Sequence, residues 1–163
     1  MGLQLPGELV YVMGLIGLNW PEADEEKLFQ MGQAWLDFAG RLNQDGQDSQ
    51  TAAQQVWTQN EGKAVQAFKE SWTEAGAAKS LQITGEASLL FGVGLIVYGV
   101  IVLGLKIMVI VQLIILAVEI AQAIASAGPT FGASLLEVPV FQQITRAIVQ
   151  NLIWQVIGEI IGG

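Results

Sequence analysis

The sequence predicts an all-α protein, an extended helical hairpin or bundle with a long apolar central helix and a C-terminal amphipathic helix. Three observations carry this prediction. Apolar residues recur at helical spacing in the first half, a nearly uncharged stretch far longer than any strand fills the middle, and Pro21, Pro129 and Pro139 fall between these segments. With 52% hydrophobic and 13% charged residues over 163 positions, the chain has surface to bury and is not disordered.

Residues 8–18 form a short apolar segment able to make about two or three helical turns. Asn19, Trp20 and Pro21 break it, because Pro lacks a backbone donor and disfavours the α conformation before it. A helix follows: Asp24 suits the N-cap, and Glu25 and Glu26 place negative charge on the first turn. Leu28, Met31, Trp35, Phe38 and Leu42 then recur at alternating three- and four-residue spacing. The polar residues 43–50, with Gly46 among them, read as the turn between antiparallel helices. A second helix begins near Ser49 and carries Val56, Trp57, Val65, Phe68 and Trp72, with residues 60–62 a weak point where it kinks or restarts.

Charge is segregated. Beyond residue 80 the only charged side chains are Glu86, Lys106, Glu119, Glu137, Arg146 and Glu159. The chain therefore divides into a hairpin over residues 1–80 and an apolar helical region over 81–163, together one continuous module. The second part holds a long helix over about 84–127 and a C-terminal helix over about 138–161.

Residues 87–105 carry no charge and would span roughly 28 Å as a helix, close to a bilayer's hydrocarbon thickness. Two readings stand: a membrane span, and a central helix buried in a bundle or oligomer. Lys106 weighs toward protein, since a mid-span charge costs on the order of 3 kcal/mol in lipid. On either reading Leu95, Tyr98, Ile101, Lys106, Ile110 and Trp154 are candidate membrane or oligomer contacts. Gly92, Gly94, Gly99 and Gly104 weaken the helix but let another backbone approach closely.

Catalytic chemistry finds no candidate. The chain has no Cys and no His, which removes thiolate and imidazole ligands and His-based triads. The acidic group Glu22, Asp24, Glu25 and Glu26 answers the helix dipole rather than a cation, and Gly92-x-Gly94 lacks the Gly-Lys-Ser/Thr of a phosphate loop. The expectation is a non-enzyme without cofactor or metal. A net charge of −8 disfavours nucleic acid, and the N-terminus lacks the basic region of a cleaved leader.

The run Gly17-Leu18-Asn19-Trp20-Pro21-Glu22-Ala23-Asp24-Glu25-Glu26, continuing to Trp35, resembles the opening of the WXG-like N-terminal helical domain of actinobacterial polymorphic toxins, relatives of type VII secretion substrates. Val56-Trp57, then Gly62-Lys63-Ala64-Val65-Gln66-Ala67-Phe68 and Trp72, looks like that domain's second helix. Two signatures differ: Asn60 stands two residues before Gly62, where a Trp-x-Gly motif has its Trp, and neither Tyr11 nor Tyr98 is followed four residues on by an acid.

The resemblance implies a helical hairpin that pairs with a small WXG-like helical partner or a copy of itself. It also implies secretion by a type VII-like route and a toxin domain downstream. Leu28, Met31, Trp35, Phe38, Trp57, Gly62, Phe68 and Trp72 are the expected interface, with packing of the hairpin's own interior the competing role for its aromatics. The alternative function is a membrane-inserting or pore-forming helical protein.

Overall fold

The computed structural model describes residues 2–162, and every regular element among them is a helix, as the sequence predicts. In order these are α1 (Gly7–Leu15), α2 (Glu25–Gln59), α3 (Lys63–Ala75), α4 (Ala77–Ser126), a 3₁₀ segment (Ala133–Glu137) and α5 (Val138–Gly162). They form two compact units, one of Met1–Lys27 with Tyr98–Gly163, the other of Leu28–Val97.

Asp24 caps α2 as expected: its Oδ1 accepts the Lys27 backbone N–H at 3.1 Å. The expected turn at residues 43–50 does not exist, because α2 runs through it unbroken. Exposed amides and carboxylates are compatible with a helix surface. Gly46 in their midst is buried, and a Cβ there would lie 3.6 Å from the Ala78 carbonyl and the Leu81 Cβ. It is a glycine of close approach, not of a turn. The break falls instead at residues 60–62, where Gly62 adopts φ 124°, a region open to glycine and strained for other residues.

Within Leu28–Val97 the chain folds back antiparallel. Trp57 meets Phe68 and Gln50 meets Trp72 nearest the turn, Asn43 meets Gly85 farther along, and Gly32 meets Gly92 and Ile96 beyond that. The side of α2 that faces inward is a column of small residues at seven-residue intervals, Gly32, Ala39, Gly46 and Ala53, all buried. The backbones close together there. A Cβ on Gly32 would sit 2.9 Å from the Gly92 carbonyl oxygen, and one on Gly92 equally close to that of Gly32.

The other unit is built on the later part of α4. Leu105, Val109, Leu113 and Leu116 present one face, which Leu9, Val12, Met13 and Ile16 from the α1 region and Val149 from α5 complete as a core. After α4 the chain turns through Gly132 at φ 85°, whose N–H donates to the Ala127 carbonyl at 2.7 Å. Ser134 Oγ donates to the Ala123 carbonyl at 2.7 Å and anchors the 3₁₀ segment. Pro139 occupies the first turn of α5, where a missing N–H breaks no helical bond.

Candidate partner surfaces

Because small residues fill the hairpin interior, the large ones on α2 are left outside it. Met31, Trp35 and Phe38 are 51%, 37% and 41% exposed, while Leu28 and Leu42 are half-buried. Of the four aromatics weighed for the hairpin's own interior, Trp35 and Phe38 stay outside it, because Gly32 and Gly92 bring the two backbones too close for a ring to enter, whereas Phe68 and Trp72 pack against α2 near the turn. Met31, Ala34, Trp35 and Phe38 line a shallow depression of about 180 Å³. Trp35 stands edge-on to Phe38 at 5.9 Å and to Phe91 of α4 at 5.0 Å. Phe91 was not among the expected residues, because on an apolar helix nothing in the sequence distinguishes it from its neighbours.

The remaining expected interface residues gather at the turn. Trp57, Phe68 and Trp72 form a ladder with centroids 6.0 and 5.8 Å apart, and Trp72 Nε1 donates to Gln50 Oε1 at 2.7 Å. Trp57 and Trp72 are half-buried, Phe68 is 36% exposed, and Gly62 is exposed with nothing near its α-carbon. The expected surface is thus two clusters, with Trp35 and Trp57 roughly 33 Å apart along α2. Between them lies an open polar groove of about 860 Å³, walled by Gln47, Gln50, Gln54, Gln82 and Trp72.

On α4 and α5 the expected contacts also separate. Tyr98 and Trp154 are exposed, whereas Leu95, Ile101 and Ile110 are half-buried. Lys106 is not a surface contact at all. It is 1% exposed, and its Nζ donates to Glu25 Oε2 at 2.7 Å beneath the Trp20 ring, 5.8 Å from the ring centroid. The other Glu25 oxygen accepts the Leu3 N–H. Gly2 is needed beside them, since a Cβ there would lie 2.5 Å from Glu25 Oε2.

Burial pushes the Glu25 carboxyl up, but the Lys106 ammonium and the Leu3 amide outweigh it and hold the group below its ordinary value of 4.5. Asp24 is also lowered from 3.8, first by the Lys27 amide it caps. The acidic residues read in sequence as complements of the helix dipole therefore include one, Glu25, that neutralises a buried cation. Its partner is 81 residues away, beyond the reach of local pattern.

Antiparallel helices closed through small residues, with Met31, Trp35 and Phe38 exposed on α2, define an all-helical hairpin domain. The family model of the WXG100-like domain matches residues 6–148, and the chain belongs to that family. The match runs beyond the front half that carries the resemblance, through α4 and into α5. No curated protein and no solved structure gives a significant match.

Proposed function

We propose that this chain is a non-catalytic interaction and secretion-targeting module of an exported bacterial toxin, and that it pairs with a small WXG-like helical protein through the Met31, Trp35, Phe38 and Phe91 face. One observation carries the reading: over its length from Gly32 to Ala53 the α2 side of the hairpin closes on glycine and alanine and leaves Met31, Trp35, Phe38 and Phe91 exposed. Large aromatic side chains on a helix supply most of the energy of helix-in-groove association, and a partner helix would remove them from water. Trp57, Gly62, Phe68 and Trp72 form the second contact, at the turn. The hairpin over residues 1–80 and the apolar region over 81–163 are proposed to act as one continuous module, a reading supported by the run of α4 across residues 80 and 81. Export follows a type VII-like route, with the toxin domain downstream.

Co-expression with a small WXG-like helical protein, followed by size-exclusion with light scattering, tests the pairing. Trp35→Glu with Phe38→Glu is expected to abolish the complex while leaving helical content unchanged. A wild-type chain that stays solitary beside that protein overturns the reading.

Membrane insertion is the second reading, and a specific observation favours it. Among the described residues one helical stretch is long and apolar enough to cross a bilayer, and 33% of its most apolar window is buried. Flotation with liposomes separates the two, since a module built for a protein partner stays at the bottom of the gradient.

A further inference from the structure

The polar groove beside Trp72 lies wholly within Leu28–Val97, and of its walls the proposed pairing uses Trp72 alone. On the α2 side it is lined by Asn43, Gln47, Gln50 and Gln54, four carboxamides at four-, three- and four-residue spacing, which puts them on one face of the helix. Asp45 and Asp48 fall between them and stay out of the lining. The facing wall supplies Lys79, Gln82 and Glu86, with Gln82 Nε2 donating to Glu86 Oε1 at 3.1 Å.

Two groups in the groove are held in place. The Trp72 indole donates to Gln50 Oε1 at 2.7 Å, and Gly76 leaves room for its ring, since a Cβ there would lie 3.3 Å from Trp72 Cδ2. The Asn43 carboxamide lies against Gly85, where a Cβ would come within 2.7 Å of Asn43 Oδ1. Gln47 and Gln54 are exposed, so their donors and acceptors are open to a ligand.

We propose that this groove binds a neutral oligosaccharide, with the Trp72 ring as the platform for one pyranose and the carboxamides of Asn43, Gln47, Gln54 and Gln82 as partners of the sugar hydroxyls. The chemistry of the walls selects this class. A carboxamide both donates and accepts, as a hydroxyl does, so a row of them satisfies a chain of hydroxyls in either sense. The C–H face of a pyranose is apolar and meets the negative face of an indole. An anionic ligand would find one cation, Lys79, offset by Glu86 in a chain of net charge −8. A partner helix docks through apolar anchors at three- and four-residue spacing, and on this wall that spacing carries amides. With a volume of about 860 Å³ and a length of roughly 16 Å from Asn43 to Gln54 along α2, the groove has room for several sugar rings.

Maltotetraose, cellotetraose and chitotetraose are the probes, read by isothermal calorimetry and by saturation-transfer NMR on the sugar. At least one is expected to bind with a Kd in the millimolar range or below, and to bind equally well at raised salt. Gln47→Ala with Gln54→Ala, at exposed positions of a helix that alanine suits, is expected to weaken that binding at least tenfold with helical content unchanged. Gln55→Ala, exposed on the same helix but outside the groove, is expected to stay within twofold of wild type. No binding of any of the three sugars at millimolar concentration, or unchanged affinity in the double variant, overturns the proposal. So does a double variant that loses the small WXG-like partner while the wild-type chain ignores every sugar, which would assign these walls to protein. Trp35→Glu is expected to leave sugar binding intact, so the hairpin pairing and this site can each fail without the other.

Discussion

Glu25 and Lys106 are 4% and 1% exposed, and each is costly to leave alone in so dry a place. Removing one charge strands the other, so Glu25→Gln or Lys106→Met alone is expected to destabilise the fold by about 3–5 kcal/mol in denaturant titrations. Glu25→Leu with Lys106→Leu removes both and is expected to recover most of that loss, because packed apolar side chains replace a buried pair at little net cost. The pH dependence has a definite sign. A carboxyl held below its ordinary 4.5 in the folded chain favours folding when ionised. That contribution is complete above 4.5 and is lost as pH falls through the lower folded value. Wild-type stability is therefore expected to fall on acidification in that window, and the double leucine variant to lose this component. Parallel curves for the two would contradict the assigned pairing. At this scale the sequence was legible in part: Asp24 is the cap its position announces, while Glu25 next to it looks the same locally and is committed to a residue in another helix.

The hairpin closes on a pattern that hydrophobicity does not display. Counting large apolar residues on α2 picks out Met31, Trp35 and Phe38, but the buried column is Gly32, Ala39, Gly46 and Ala53, one small residue per seven. Small residues in register were the available signal, obscured because Gly46 lies among polar neighbours and reads as a turn. The column makes opposite predictions for two glycines of one helix. Gly32→Ala places a Cβ 2.7 Å from Ile96 Cγ1 and 2.9 Å from a backbone oxygen, so the helices must separate, and a loss of about 1–3 kcal/mol is expected. Gly46→Ala meets its neighbours at 3.6 Å, ordinary contact, and is expected to gain up to about 1 kcal/mol from helix propensity. Thermal unfolding of the two variants checks this. A loss at Gly46 as large as at Gly32 would mean the helices do not close where the column places them.

Across the whole chain, the segregation of charge implied that the later half would be surrounded by something other than water, and the apolar residues of α4 and α5 that remain exposed leave that need unmet within one chain. What pattern alone could not supply is which side of an all-apolar helix faces inward. Along the apolar stretches of α4 the positions look alike in sequence, and only contact with Leu9, Met13 and Val149 turns Val109, Leu113 and Leu116 in. If the proposed pairing holds, the stability of a molecule with so much apolar surface outside depends on its partner. An associating partner that binds only the folded form adds RT ln(1 + [L]/Kd), about 2.7 kcal/mol at a hundredfold excess over Kd. For a chain of 163 residues that is roughly a 5–10 °C rise in Tm. The Tm by scanning calorimetry is therefore expected to climb when a small WXG-like helical partner is added. Trp35→Glu should flatten that dependence, since it alters the exposed face of the hairpin and leaves the column of small residues untouched. A Tm indifferent to the partner's concentration would mean that the aromatic face of the hairpin does not take it.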